Sequence, residues 1–366
     1  TCGNGRRQIV LLGQAPAGSG AASAVLSVTG ASGERSSDRP AARAPDTGLQ
    51  NRTDKPAETP PAERPALEMA PEELRADLDA RWEYGGLAGF FGSHPDSLLD
   101  VNAAERIGEY VRERIRERVS DPVIAEKLSP RNHPFASKRL CVDTNYYETY
   151  NRPNVTLVDL RESPIVTIEP AGVRTTAGLH AVDALVLATG FDAMTGAIGR
   201  IDIRGTGGAR LKDKWEHGPQ TYLGLMVAGF PNLFLITGPG SPSVLSNMVT
   251  SIEQHVDWVS ETIAALGGRQ AVTIEALPQA ETVWGEHVNA VAETTIFMHA
   301  DSWYVGANIP GKPRVFTAYL GGVGTYRTIC DALAAQNYPG FAIDGEANAD
   351  LPDFFAFLPV PEAEAA

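Results

Sequence analysis

Two adjacent cations, Lys138 and Arg139, are the side chains in this sequence best suited to hold a negatively charged group. They lie in PFASKRLCVDTNYYETYNRPNV, a proline-bounded segment that is predicted to be a loop between a helix and a strand. Arginine stays protonated and presents a planar fork of donors, whereas lysine offers a point charge that suits a phosphate. Because such loops often carry function, the pair is a candidate anion site. The alternative is ordinary surface charge.

Three glycine-containing segments could contact a flat ligand. ALVLATGFD ends a predicted strand at Gly190, where the missing Cβ allows close approach of backbone to a ligand. ITGPGSPSVLSNM leads into a predicted helix, whose first turn has free N–H groups and suits an electron-rich ring edge. DSWYVGANIPGKPR places Trp303 among glycines and prolines, where its ring could cover a flat group. The alternatives are a glycine turn, an ordinary capped helix and a core tryptophan.

The dinucleotide fingerprint GxGxxG is matched only weakly. QIVLLG, Gln8–Gly13, is a possible strand, and GSGAAS follows at 18–23, with Ser23 where the third glycine belongs. Residues 14–17 intervene, whereas in a working fingerprint the turn follows the strand directly. We therefore do not predict a cofactor site here.

Composition and charge narrow the classes of function. The 366 residues carry a net charge of −14 without a Lys/Arg cluster, which disfavours nucleic acid and anionic membrane as partners. Prolines interrupt the uncharged stretch 221–252, so no membrane span is expected. The three cysteines lack a CxxC spacing and the seven histidines lack an HxxxH pair, so we expect no disulfide framework, no metal site and a reducing cytoplasm.

Four regions follow from the pattern of apolar residues. Residues 1–65 lack aromatic side chains and are expected to be disordered, or else an out-of-frame translation. Residues 66–150 are expected to be helical, 151–345 to contain the strands, and 346–366 to form a tail that docks through FFAF. In the helix VNAAERIGEYVRERIRERVSD the apolar residues recur every four positions, and the charges are expected to form a solvated face.

The second half predicts an α/β fold. NVTLVDL is a predicted strand, SPIVTIEPAGVRTT a hairpin turning at 170–172, and HAVDALVLATGFD a strand buried on both faces. NLFLITGPG is a further predicted strand that runs into a helix from about Ser243 to Leu266. The expected buried stripe of that helix is Leu245, Met248, Ile252, Val259, Ile263 and Leu266.

Six ordered blocks strongly resemble the phenylacetone and cyclohexanone monooxygenases, which are Baeyer–Villiger enzymes. The blocks are KRLCVDTNYYETYNRPNVTLVDL, LVLATGFDAMTGA, KWEHGPQTYLGL, GFPNLFLITGPGSPSVLSNM, SIEQHVDW and SWYVGANIPGKPRVF. The resemblance implies an α/β fold with two dinucleotide-binding domains, for FAD and for NADPH. On it, 66–150 is the helical remainder of the NADP-binding domain and 151–345 the C-terminal part of the FAD-binding domain. It also implies insertion of one oxygen atom of O₂ next to a ketone carbonyl, giving an ester or lactone.

The resemblance also assigns residues. Arg139 corresponds to the active-site arginine, Lys138 and Trp303 to contacts with NADP, and Met248 to an FAD contact. Ser243, Val244 and Leu245 resemble the loop that lines the substrate pocket, and Gly190 ends a cofactor-side strand. Both cofactor fingerprints, the acidic active-site residue and the FxGxxxHxxxW segment of the family are missing, so an N-terminally incomplete enzyme is expected. The alternatives are an N- or S-oxygenating flavin monooxygenase and a catalytically dead remnant.

Overall fold

The computed structural model describes residues 8–13, 24–29, 62–87, 89–188, 190–307 and 309–358, with only the strand placement given for the first two segments. The chain divides into two compact units. Unit 1 comprises Thr1–Gly190 with His299–Asp301, and unit 2 comprises Phe191–Met298 with Ser302–Ala366. The division after Gly190 differs from the expected boundary between residues 150 and 151.

Unit 1 contains four helices and two small sheets among its described residues. The strands and helices in chain order are β1 Gln8–Gly13, β2 Ala24–Thr29, α1 Pro71–Tyr84, α2 Val101–Arg118, α3 Pro122–Leu128, α4 Tyr146–Thr149, β3 Val155–Asp159, β4 Ile165–Glu169, β5 Gly172–Thr175, β6 Gly178–Ala181 and β7 Ala184–Ala188. Strands β1 and β2 lie within 1–65, a stretch expected to be unstructured, although Gln8–Gly13 agrees with the possible strand. The rest of 1–61 lies outside the described residues.

Helix α2 forms where the four-residue apolar periodicity predicts it. The carboxylate of Asp100 accepts hydrogen bonds from the Asn102 and Ala103 N–H groups and so caps the first turn. Ile107 and Ile115 are buried in the cores of unit 1. The expectation of a purely solvated charged face is wrong at Arg112, which is 3% exposed and pairs with Glu105 and Glu109. The two carboxylates offset the cost of removing the Arg112 guanidinium from water.

The larger sheet has the strand order β3-β2-β1-β7, with β1 and β7 parallel and the other neighbours antiparallel. The hairpin expected at 170–172 is present, since β4 pairs antiparallel with β5. The expectation that β7 is buried on both faces is wrong, because Val186 and Leu187 are exposed. Strand β7 lies at the sheet edge, and Leu185 packs on the cluster around Val158. A continuous apolar run is also compatible with such an edge position.

The regular elements of unit 2 are mainly helices. Its elements are α5 Leu211–Lys214, α6 Met248–Gly268, β8 Ile274–Ala276, α7 Pro278–Glu293, α8 Val323–Ala335, β9 Phe341–Ile343 and β10 Glu346–Asn348. The strand expected at NLFLITGPG is absent among the described residues, where only Phe234 forms a bridge, to Met226. Instead the Asn232 N–H donates to Ile274 O, at the start of β8, and the Leu235 N–H donates to Leu225 O, so two separate segments satisfy this backbone.

Helix α6 begins at Met248, later than expected, after a short 3₁₀ turn at Ser243–Leu245. Of its expected buried stripe only Leu266 is buried. The residues that α6 buries are Ser251, Gln254, His255, Trp258, Thr262 and Leu266. This mixed face packs on an aromatic core, with the Trp258 indole N–H donating to Cys330 O at 3.1 Å. Side-chain hydrogen bonds and aromatic contacts therefore outweigh the apolar periodicity in setting the orientation of α6.

The described part of the C-terminal segment, residues 346–358, packs against the rest of unit 2. Strand β10 pairs antiparallel with β9, and Phe354 is buried with its ring centroid 5.2 Å from that of Trp284. Phe354 of the FFAF segment is thus packed within unit 2 as expected, and β10 lies inside the region 346–366 that was expected to be a tail. Residues 359–366 lie outside the described residues.

Two buried histidines make the stability of the fold sensitive to acid. Burial lowers the pKa of His255 to about 4, and burial lowers that of His287 to about 4, against the opposing charge of Asp353. As the pH falls through about 6.5 the unfolded chain takes up these protons, whereas the folded chain does not until about pH 4. Their stabilising contribution is therefore full above about pH 6.5 and is lost between about pH 6.5 and pH 4.

We expect the free energy of unfolding, measured by urea titration, to fall over that range by up to about 1.4 kcal/mol per pKa unit for each histidine. His287→Gln should make this pH dependence shallower, and His217→Gln, at an exposed position, should leave it unchanged. An identical pH dependence in the wild-type protein and His287→Gln would contradict the assignment.

Candidate functional site

A cavity of about 850 Å³ in unit 1 contains both predicted cations. Lys138 and Arg139 lie on its wall, together with His133 from the same segment. Aromatic side chains from separate elements complete the lining, among them Trp82 from α1 and Tyr147 from α4. The cavity therefore combines positive charge with flat apolar surface, which suits an anionic ligand that contains rings.

Partial burial shapes the electrostatics of this cavity. Burial lowers the pKa of Lys138, and the charge of Asp301 partly opposes that effect. Burial, and secondarily the charge of Lys138, lowers the pKa of His133 to about 4, so this ring is neutral at neutral pH. Arg139 is more exposed. His133 therefore adds no positive charge to this wall at neutral pH, and a bound anion would stabilise the charge of the partly desolvated Lys138.

The guanidinium of Arg118 also lines the cavity. Its guanidinium carbon lies 4.9 Å from the centroid of the Trp82 ring, within the range of a cation–π interaction. Its nitrogens also lie 3.5 Å from carboxylate oxygens of Asp143 and Glu148. Arg118 is thus held by carboxylates, and it fixes the aromatic surface that Trp82 presents.

In unit 2, the predicted substrate-pocket residues form one tight turn before α6. Ser243 has φ +40°, in the left-handed region, and its side chain is buried. The Ser246 hydroxyl donates to Ser243 O at 2.8 Å, and the Asn247 side chain caps α6 by accepting from the Val249 N–H. The Ser243 hydroxyl lies 4.0 Å from the Met248 sulfur. The turn therefore places the first residue of α6, Met248, beside the predicted substrate loop.

The preceding loop is fixed by hydrogen bonds to its backbone. The Thr221 hydroxyl donates to Pro239 O at 2.6 Å, and the Trp284 indole N–H donates to Gly240 O at 3.1 Å. Gly238 must be glycine, because a Cβ there would lie 2.4 Å from the carbonyl oxygen of Gly224. Such buried, bonded backbone cannot shift without losing these interactions, so the turn that follows it is preorganised.

Trp303 lies in a second turn of unit 2, Trp303–Val305, with its ring centroid 4.1 Å from that of Tyr304. Thr317 connects this turn to the preceding loop: its N–H donates to Tyr304 O, and its carbonyl accepts from the Gly240 N–H. Trp303 is half-buried. Its ring therefore lies on the surface of a fixed turn rather than deep in the core.

Gly190 lies at the end of unit 1, two residues beyond β7, with φ +79°. A Cβ built there would meet nothing within 4 Å, so the left-handed backbone, and not crowding, is what favours glycine. The predicted close approach to a ligand is therefore not required by the surroundings described here.

The structure thus brings together two sets of predicted residues. Lys138 and Arg139 share one cavity wall, and Ser243, Val244, Leu245 and Met248 share one turn. Sequence reasoning missed the aromatic and cationic lining of the cavity, comprising Trp82, Arg118, Tyr146 and Tyr147. The only signal of this lining in the sequence was the YY pair, in the segment that also contains the cations.

Among the described residues, no group of His, Cys, Asp or Glu is arranged to bind a metal ion, and no helix is both long and apolar enough to cross a membrane.

Three curated proteins are similar in sequence over most of this chain. The acetone monooxygenase (methyl acetate-forming) of Gordonia sp. is 40% identical over 75% of this chain and 52% of its own length. A Baeyer–Villiger monooxygenase of Pseudooceanicola batsensis is 38% identical over 76% of this chain and 51% of its own. The phenazine N-monooxygenase of Lysobacter antibioticus is 37% identical over 77% and 52%. This chain spans about half the length of these relatives.

Solved structures show a similar fold. An oxidized steroid monooxygenase bound to NADP matches with a TM-score of 0.73 and 47% identity, covering 78% of this chain and 53% of that one. The OTEMO complex with FAD and NADP matches with a TM-score of 0.73 and 38% identity, covering 78% and 52%. No protein-family model matches the chain.

The hydrogen bond from the Thr221 hydroxyl to Pro239 O is expected to stabilise and rigidify the loop before α6. Thr221→Val keeps the shape of a buried side chain but removes the donor to Pro239 O, and it should cost about 1–3 kcal/mol of unfolding free energy in urea titration. Amide hydrogen exchange at 240–246 should become faster. Thr250→Val, at an exposed position of α6, is the control. Unchanged stability and exchange in Thr221→Val would show that this bond does not fix the loop.

Proposed function

The chain is homologous to Baeyer–Villiger monooxygenases, and from that premise we propose that it acts in an FAD- and NADPH-dependent monooxygenase. The proposed reaction inserts one oxygen atom of O₂ next to a ketone carbonyl and gives an ester or lactone. The observation that carries the proposal is the shared cavity wall of Lys138 and Arg139 in a chain with such relatives.

The cavity fits a phosphorylated, ring-containing cofactor such as NADPH. Its volume of about 850 Å³ is in the range of ligand sites, and its lining offers both cations and aromatic rings. Lys138 is half-buried and its pKa is lowered by burial, so an approaching phosphate would restore favourable interactions to its ammonium group. We assign Lys138 to NADPH on this basis. Trp303, which belongs to unit 2, is assigned as a second contact from the sequence resemblance alone.

The proposed catalytic residue is Arg139. When bound, FAD supplies the redox centre at which O₂ reacts, and NADPH supplies the reducing electrons. The task left to the protein is to hold negative charge that develops during oxygen transfer. A guanidinium does this without titrating, and its planar fork can hold an oxyanion and orient it.

Unit 2 contributes the proposed substrate contacts and one of the two proposed flavin contacts, Met248, whereas Gly190 belongs to unit 1. We assign Met248 and Gly190 to FAD, and Ser243, Val244 and Leu245 to the ketone. The preorganised turn at 243–248 supports this proposal, since a substrate loop must hold its shape to orient a small ketone. We further propose that the protein works without nucleic acid, membrane or metal. The free thiols Cys141 and Cys330 suit a reducing compartment such as the cytoplasm.

A second candidate function is oxygenation of a nitrogen atom, which the similarity to the phenazine N-monooxygenase favours. The two functions differ in product. The test supplies the chain, extended by an N-terminal segment that carries both dinucleotide fingerprints, with FAD, NADPH and isotopically labelled O₂, together with a cyclic ketone or an aromatic N-heterocycle. We expect a lactone that carries one labelled oxygen. An N-oxide without lactone would establish the second candidate, and neither product would identify a catalytically dead form.

Lys138→Ala is expected to weaken binding of NADP⁺ by about 10- to 100-fold, because a hydrogen bond to a charged group contributes about 1.5–3 kcal/mol. Binding of NAD⁺, which has one phosphate fewer, should change less. Isothermal titration calorimetry measures both affinities. Lys127→Ala, which removes a lysine on α3 that pairs with Glu162, is the matched control. Equal losses for NADP⁺ and NAD⁺, or none, would refute the assignment of Lys138.

Arg139→Ala is expected to lower ester formation by about 10²–10³, since one preorganised donor to a developing oxyanion contributes that much. NADPH oxidation should persist, so the yield of ester per NADPH consumed should drop. Arg139→Lys should restore only part of the yield, because lysine lacks the planar fork. The yields are measured by gas chromatography alongside NADPH absorbance. A parental ester yield in Arg139→Ala would remove Arg139 from catalysis.

A further inference from the structure

Helix α6 presents an apolar stripe to solvent. The stripe consists of Val249, Ile252, Val256, Val259 and Ile263. Val249 is 60% exposed, Val256 45% and Ile263 54%, while Val259 is half-buried. The buried face of α6, which includes Trp258, packs against the rest of unit 2. An exposed apolar surface of this extent on a helix marks an interaction site in a folded protein.

The spacing of the stripe indicates what kind of element would cover it. Its members follow one another at intervals of three, four, three and four residues, which is the seam of a coiled coil. All five members of that seam are β-branched valines or isoleucines. A narrow seam of this kind packs against a second helix whose apolar residues have the same spacing.

Charge indicates the chemistry of that second helix. Glu253, Asp257 and Glu261 are exposed along one side of the stripe, four residues apart. Residues 248–268 contain no lysine or arginine. A second copy of α6 would bring further carboxylates and no cation against this side, and an anionic lipid surface would be repelled by it. A helix with lysine or arginine flanking its apolar seam would be complementary.

We propose that the α6 stripe docks an amphipathic polypeptide helix with basic flanking residues. The relatives extend beyond the matched region by about as much polypeptide again, which is a source for such a helix. The proposal goes beyond the proposed function and does not depend on it, because neither cofactor takes part in the contact.

The test uses the full chain and two synthetic peptides that differ only in flanking charge. Both form helices with leucine in the three–four spacing, flanked by lysine in one peptide and by glutamate in the other. Fluorescence anisotropy should show binding of the lysine peptide, weakened by salt and at least about tenfold tighter than that of the glutamate peptide. Val256→Asp should abolish binding. Val123→Asp, at an exposed position of α3, is the matched control and should retain it.

Four results would overturn the proposal. The first is failure of the lysine peptide to bind, and the second is equal binding of both peptides. The third is undiminished peptide binding by a Val256→Asp variant that has a native circular dichroism spectrum. The fourth is that the wild-type chain self-associates or attaches to phospholipid vesicles and that Val256→Asp abolishes this behaviour. Ile263→Asp provides an independent variant at the far end of the stripe. Because no cofactor is present in the assay, its outcome is separate from that of the NADPH and ketone experiments.

Discussion

The loop at 238–241 is the constraint on which the rest of unit 2 depends. Side chains of Thr221 and Trp284 hold its carbonyl groups, and Thr317 connects it to the turn that presents Trp303. Buried backbone must find such partners, and here they come from three separate segments. The loop therefore fixes the start of α6 and the half-buried tryptophan together. A ligand that bound to these turns would find them already in place.

The cavity of unit 1 depends on side chains from several elements rather than on a bonded loop. Lys138 and Arg139 are adjacent in sequence, but the aromatic surface beside them comes from α1 and α4. Arg118 links these elements by lying over Trp82 and beside carboxylates of the later segment. Charge and flat apolar surface are thereby brought to one wall, which neither element provides alone. This arrangement supports an anionic ligand with rings better than it supports a simple anion.

Much of the fold could be predicted where one periodicity dominates. Helix α2 and the β4–β5 hairpin follow directly from four-residue and turn signals in the sequence. The orientation of α6 could not be predicted in this way, because its buried side includes the polar residues Gln254, His255 and Thr262. The His255 ring packs against Tyr326, which lies on a different helix. The segment at 232–240 is apolar enough for a strand, yet prolines and glycines distribute its hydrogen bonds among several loops.

Only part of the candidate site could likewise be predicted from the sequence. The cations were predictable, since two basic residues in a proline-bounded loop are a local signal, whereas Trp82 lies in a different helix and reaches the cavity only through the tertiary fold. Amide hydrogen exchange of the chain with and without NADP⁺ tests directly whether the cavity of unit 1 binds this cofactor. We expect slower exchange at 138–147, the segment that begins with Lys138 and Arg139. Protection confined to other segments, or no protection at saturating NADP⁺, would contradict it.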